Sequence, residues 1–182
     1  MVEEKSEKSM RVFFALWPDD AERAALAAWQ PALHKLCGGR IIRADTVHNT
    51  LVFLGNIEAH RLEALSLAAQ EADGGAFELQ FDEACYWKHN HIVFASPSRV
   101  PKQLEKLVHR LEQNLAMHGF EFDQRPYKPH VTLLRNAKWG SEPLPVMKKV
   151  MWKAKSFVLV QSAPDEKGAN YKVLAQFQLR HT

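Results

Sequence analysis

The sequence predicts an α+β protein made of two similar lobes related by a pseudo-twofold axis. Short apolar strands alternate with amphipathic helices along the chain. The order strand, helix, histidine-bearing strand occurs twice, with strand starts 80 positions apart (92 − 12) and the histidines 82 apart (130 − 48). The last part of the chain reads as two further strands. Two copies of this length are not a solenoid of short repeats. A fused pair of lobes accommodates them, and it sets His48 opposite His130 across a shared groove.

Each element has its own signal. Residues 1–10, MVEEKSEKSM, alternate charges without an apolar stretch, so they read as a solvated tail and not a secretory signal. VFFALW (12–17) is a short apolar run stopped by Pro18, a buried strand. Asp19 and Asp20 suit the N-cap of one helix carrying Ala25, Trp29, Ala32, Leu33 and Leu36 on its apolar face, ended by Gly38 and Gly39. A short basic link leads to HNTLVFLG (48–55), a second apolar strand. Leu62, Leu65, Ala69 and Ala72 mark an amphipathic helix closed by Asp73-Gly74-Gly75. FELQFD (77–82) alternates apolar and polar side chains, as a half-buried strand does. KHN (88–90) is a turn leading into the strand HIVFAS (91–96). Pro101 begins a helix with Leu104, Leu107, Val108, Leu111 and Leu115 on its apolar face and Gly119 at its end. HVTLLR (130–135) is a strand, and Pro143 and Pro145 mark a loop. VMWKAKSFVLVQS (150–162) and YKVLAQFQL (171–179) read as an antiparallel pair joined by PDEKGAN.

Composition narrows the function classes. The 182 residues are 46% hydrophobic and 25% charged, which excludes a disordered chain, a collagen-like fibre and a disulfide scaffold. No apolar run approaches the ~20 residues that span a bilayer, so no membrane partner is expected. Cys37 and Cys85 are too few for a disulfide framework or a zinc site and read as reduced packing or surface residues of a cytoplasmic protein. The net charge of +3, from 24 Lys and Arg against 21 Asp and Glu, is far below that of a protein coating long nucleic acid. It suits a small anionic substrate or a single-stranded end.

The two histidine strands carry the chemistry. Residues two apart in a strand share a face, so His48 projects with Thr50 and His130 with Thr132, while Asn49, Leu51, Val131 and Leu133 point the other way. Imidazole exchanges a proton near neutral pH, and a threonine hydroxyl hydrogen-bonds a phosphate oxygen. One HxT in a strand is uninformative, because a half-buried histidine is usually structural. Two copies at matching places of an internal repeat offer a general acid and a general base on opposite sides of one phosphorus.

HNTL (48–51) and HVTL (130–133) resemble the paired HxTx motifs of the 2H phosphoesterase superfamily. With HNTLVFLG, RPYKPHVTLLR and the early strand RVFFALWP, the chain from Arg11 to Arg180 resembles its RNA 2′,3′-cyclic phosphodiesterase branch, also named for reversible 2′-5′ RNA ligase activity. Asn49 departs from that branch, where an apolar residue is more usual. The resemblance implies a single two-lobed α+β phosphoesterase domain over 11–182, with antiparallel sheets flanking a cleft and helices outside. It implies hydrolysis of 2′,3′-cyclic phosphate ends of RNA or nucleotides to 2′-phosphomonoesters without metal or other cofactor. By motif position, His48 protonates the departing 3′ oxygen, His130 activates water, and Thr50 and Thr132 hold the non-bridging oxygens. Arg135 matches an arginine of that branch and stabilises charge on phosphorus. Strand alternation nevertheless sets it opposite in sense to His130, so it reaches the groove only from the strand's end. A monomer is expected.

Other residues read less sharply. His89-Asn90-His91 fits a hairpin turn better than a nuclease motif, and His34, His60, His109 and His118 read as surface residues on or beside helices. Arg125 and Lys128 add positive potential for RNA or form an exposed basic loop. Tyr127 and Trp17 stack on a base or pack in core or cleft. The competing functions are a non-catalytic protein that binds RNA ends or nucleotides, and a two-histidine metal hydrolase. The second lacks a neighbouring carboxylate or third ligand in either motif.

Overall fold

The computed structural model describes residues 8–72 and 74–180. In chain order the strands and helices are β1 (Ser9–Leu16), α1 (Asp20–Ala27), α2 (Gln30–Cys37), β2 (Arg40–Ile41), β3 (Asn49–Glu58), α3 (Leu62–Gln70), β4 (Phe77–Phe81), β5 (Glu83–Trp87), β6 (Ile92–Ser96), α4 (Lys102–Met117), β7 (Val131–Arg135), β8 (Val150–Ala154), β9 (Ser156–Ser162) and β10 (Tyr171–Gln178). Two four-stranded sheets run in the orders β10-β9-β1-β3 and β2-β7-β6-β5, and β4 pairs with β8 in a third of two strands. Every pairing is antiparallel. The fold is thus the expected α+β class with antiparallel sheets. Each histidine-bearing strand pairs with an earlier apolar strand, β3 with β1 and β7 with β6.

The apolar run of β1 is buried on both faces. Val12, Phe14 and Leu16 enter the main core, while Phe13 and Ala15 join Val158 and Val160 in a smaller cluster with Trp17, Phe53 and Tyr171 packed on it. The apolar face expected of α4 is buried in full, from Leu104 to Leu115. That helix packs on α3 and on β3, and α2 packs on β2 and β7. No helix among the described residues is long and apolar enough to cross a membrane.

Five expectations change. Ser9 and Met10, assigned to the tail, belong to β1 because β3 runs to Glu58 and supplies them with ladder partners; residues 1–7 of that tail lie outside the described residues. The single helix before Gly38 is two, α1 and α2. Pro31 has no N–H to continue the ladder, so the chain turns at Ala28–Trp29. Leu26, Trp29, Leu33 and Cys37 are buried as a result, while Ala25, Ala32 and Leu36 of the expected face are exposed. The segment 150–162 is not one strand. VMWKA alternates buried and exposed and pairs with β4, whereas the continuous apolar run of β9 lies between β1 and β10. Residues 83–87 form β5, whose hairpin with β6 closes through the expected turn at 88–90. The basic link contains β2, which pairs with β7 and sets Arg40 opposite Arg135.

Local chemistry explains the junctions that position the cleft. Asp19 caps α1 with a reciprocal pair: its carboxylate accepts from the Glu22 N–H at 2.7 Å, and the Asp19 N–H donates to Glu22 at 3.0 Å. The second oxygen of Glu22 accepts from the Lys153 N–H at 2.8 Å, tying α1 to β8. Gln30 at the start of α2 donates to the carbonyls of Ile42 and Leu133, fixing that helix to β7. Gly39 has φ +83°, and a Cβ there would run into the Arg135 carbonyl oxygen. Only glycine lets β2 lie this close to the end of β7.

Candidate active site

His48 and His130 stand immediately before β3 and β7 and line the same cavity of about 280 Å³, together with Thr50, Thr132 and Arg135. All five residues singled out in the sequence are therefore brought together. A second cavity of about 540 Å³ adjoins the first and shares Thr50, Phe53, His130, Thr132 and Arg135 with it. The cleft thus has two arms meeting at His130.

Both imidazoles are held alike. His48 Nδ1 lies 2.7 Å from the Thr46 carbonyl, and His130 Nδ1 lies 2.8 Å from the Lys128 carbonyl, two residues back in each case. A carbonyl only accepts, so Nδ1 carries the hydrogen in both rings and Nε2 is left as the exchanging atom. In the neutral ring, His48 Nε2 accepts from the Thr50 hydroxyl at 3.0 Å. Aromatic rings enclose each histidine. Trp17 stacks on His48 at 5.7 Å with Phe13 and Tyr171 beside it, and Trp87 stands edge-on to His130 at 4.8 Å. This burial pushes His48 down to about 4, against the raising effect of its Thr46 hydrogen bond and with smaller contributions from the His130 and Arg135 charges. His130 is also lowered, first by burial and then by Arg135, with the Lys128 hydrogen bond opposing. At pH 7 both rings are mainly neutral.

Arg135 reaches the cleft by a route that strict alternation hides. Phe94 of β6 pairs with Thr132 while the adjacent Val93 pairs with Leu134, leaving Leu133 as the extra residue of a β-bulge. The extra residue resets the period, so Leu133 and Leu134 are both buried and Arg135 returns to the face of Thr132. The same device lies in β3: Ala15 pairs with Thr50 and Phe14 with Val52, skipping Leu51. The bulge puts Phe53 where the second motif has Arg135, each five positions after its histidine (53 − 48 and 135 − 130). Arg11 of β1 lies over the Phe53 ring at 4.8 Å, restoring a cation on that side. The doubled apolar residues Leu51-Val52 and Leu133-Leu134 were the signal that could have revealed both bulges.

The remaining candidates separate. Trp17 packs on His48, and Tyr127 lines the larger arm, which also receives Arg125 and Lys128. Asp123 takes up Arg125 as an ion-pair partner. His34, His60 and His109 are exposed and His118 is half-buried. Cys37 is buried and Cys85 half-buried, both as free thiols. Sequence reasoning missed Arg11, Arg40, Arg43, Lys167 and Tyr171, which line the smaller arm, and Trp87, which lines the larger. Among the described residues no group of three or more His, Cys, Asp or Glu is arranged to hold a metal ion.

Asn49 faces away from the cleft, as expected, and is fully buried. Its Oδ1 accepts from the Tyr127 hydroxyl at 3.2 Å, linking the first motif to the segment leading into the second. Tyr127→Phe leaves that buried oxygen unpaired and is expected to lower stability by about 1–3 kcal/mol in urea unfolding. In an Asn49→Val background the same change should cost far less, and equal costs in the two backgrounds would dismiss the link.

Comparison with known proteins agrees with this arrangement. Residues 17–163 match the family model described as the 2′-5′ RNA ligase superfamily. Over 127 residues the chain is 34% identical to an RNA 2′,3′-cyclic phosphodiesterase of Escherichia coli strain K12, covering 70% of this chain and 72% of that protein. The crystal structure of E. coli LigT in apo form superposes with a TM-score of 0.85 at 28% identity, over 96% of this chain and 99% of that one. LigT complexed with 3′-AMP gives 0.83 at 29% identity, over 94% and 99%. The paired motifs, their matched bulges and these similarities converge: the chain belongs to the 2′-5′ RNA ligase superfamily.

Proposed function

We propose that this protein hydrolyses 2′,3′-cyclic phosphate ends of RNA or nucleotides to 2′-phosphomonoesters by two-histidine general acid–base catalysis. The observation that carries the reading is the pair of imidazoles on one cavity, each with Nδ1 tied to a backbone carbonyl and Nε2 left to exchange a proton. His130 Nε2 takes a proton from water as the water oxygen bonds to phosphorus. The bond from phosphorus to O3′ breaks, and His48 Nε2 delivers a proton to O3′. A 5′-hydroxyl in place of water gives a 2′-5′ linkage by the same steps. Thr50 and Thr132 hold the non-bridging oxygens, and Arg135 stabilises the charge gathering on them. The bound anion itself favours the imidazolium that the acid role of His48 requires. The curated relative's name and the nucleotide held by LigT support this substrate class. Residues 11–182 act as one two-lobed unit in this reading, and the matched carbonyl anchors and bulges support an approximate twofold between its halves.

The test is a pH–rate profile for opening a nucleoside 2′,3′-cyclic phosphate, with and without EDTA, with the product identified by ³¹P NMR. The acid and base roles need opposite protonation states, so the profile is expected to fall on both sides of an optimum. Both free histidines lie below the usual value. The kcat/KM optimum should therefore lie on the acid side of the kcat optimum, because the bound anion raises both groups. Activity should survive EDTA. Loss with chelator and recovery with a divalent ion would favour the metal hydrolase, and binding without ring opening the non-catalytic protein. A 3′-phosphate product would reassign the leaving oxygen and with it His48.

A further inference from the structure

We propose that the smaller arm of the cleft is a subsite for a second phosphate, the one on the 5′ oxygen of the nucleotide that bears the cyclic end. The inference rests on the cyclic phosphodiesterase reading and adds that the substrate continues upstream as an RNA strand.

Charge is the first observation. Arg11, Arg40, Arg43, Arg135 and Lys167 all line this arm, and no carboxylate does. A chain with 24 basic and 21 acidic residues has nearly enough acids to intersperse among its bases, so five cations without one is not a consequence of composition. They also arrive from separate places: β1, β2, the segment after β2, β7 and the β9–β10 connection. Gathering like charges is unfavourable, and an anion among them relieves the repulsion.

The count exceeds what the reacting group needs. A cyclic phosphate carries one negative charge, and its two free oxygens are served by Thr50, Thr132 and Arg135. Arg43 is committed elsewhere, donating to the Ala169 carbonyl at 2.7 Å and standing 3.4 Å from Asp45, which pins the β9–β10 connection to the end of β2. Arg11, Arg40 and Lys167 have no ion-pair partner among the described residues, and all three line the arm, Arg11 from its place over the Phe53 ring. Lys167 is carried on the connection that Arg43 pins, and Arg40 is set opposite Arg135 by the Gly39 approach.

The contrast between the arms is the third observation. Apart from the shared Arg135, the larger arm sets Glu112 and Asp123 against Arg125 and Lys128, a balance the smaller arm lacks, and it does not contain His48. The ribose whose O3′ is protonated by His48 lies on the His48 side. In this proposal its 5′ oxygen, and the phosphate attached there, run into the cationic arm.

The experiment compares three substrates: adenosine 2′,3′-cyclic phosphate, the same nucleoside with a 5′-phosphate, and a diadenosine dinucleotide ending in the cyclic phosphate. The free 5′-phosphate and the internucleotide diester are the two sources of this anion, and both should raise kcat/KM about tenfold over the plain nucleoside at low salt. The plot of log kcat/KM against log salt should steepen by about 0.7 for the added contact. In the double variant Arg40→Gln/Lys167→Gln that gain and added slope should largely vanish, with a much smaller loss on the plain nucleoside. Equal kcat/KM and salt slope for all three substrates would overturn the subsite while leaving the cyclic phosphodiesterase intact. So would a gain confined to the dinucleotide, which assigns the preference to the second nucleoside, or an equal loss on every substrate in the variant. No ring opening of any substrate by the unaltered protein overturns the activity and the subsite together.

Discussion

Replacing either His48 or His130 by alanine is expected to lower turnover of a 2′,3′-cyclic phosphate about 10²–10⁴-fold, the usual contribution of one general acid or base. Both side chains line an open cleft and make one backbone hydrogen bond each, so the fold should persist, which circular dichroism and urea unfolding check. The double variant should lose less than the product of the two single losses, because the pair serves one step. The pH profiles separate the roles. Without His130 the limb that reports the base disappears, and without His48 the limb that reports the acid does. Wild-type limbs belong to the interacting pair, not to either ring alone. A second signature is independent of turnover. His48 titrates near 4 in the folded protein against an ordinary 6.5, so the unfolded chain binds the proton first. Its contribution to stability is present above pH 6.5 and lost as the pH falls through 4. His48→Ala removes that loss, and the stability difference between pH 7 and pH 4 should shrink. Near-normal turnover in either single variant would remove that histidine from the mechanism.

The histidines and threonines were legible because a strand's period of two is a strong local rule and the motif occurs twice. What was hidden depends on contacts between distant segments. The bulges at Leu51 and Leu133 form only when β1 and β6 pair with their partners, and a rule applied to one strand alone sent Arg135 to the wrong face. The split of 150–162 between two sheets is a competition for partners, decided by β4 on one side and by β1 and β10 on the other. Its trace in the sequence is the change from alternating VMWKA to continuous FVLV. Pro31 was a local signal that a longer apolar pattern overrode. The cationic arm had no local signal, since its residues are scattered over Arg11, Arg40 and Lys167 and only folding assembles them. Asn49 shows the converse. An unusual polar residue on the face turned from the cleft was plain in the sequence, but its hydrogen bond with Tyr127 was not.

Arg135 carries the second large effect, and its position on the bulge makes the expectation specific. Arg135→Lys keeps the charge but loses the planar fork that holds two phosphate oxygens at once. Removing a preorganised donor of this kind typically costs about 10²–10³-fold in kcat. The lysine variant should retain more activity than Arg135→Gln, which loses the charge as well. The glutamine variant also has an electrostatic signature. The Arg135 charge lowers both histidines, after burial in each case, so its removal should raise both and move both limbs of the kcat/KM profile to higher pH. Arg135→Lys should leave the limbs close to their wild-type positions, because the charge remains. A role confined to packing would lower activity without moving the limbs and would not distinguish lysine from glutamine. Full activity in the Arg135→Gln variant would end the assignment.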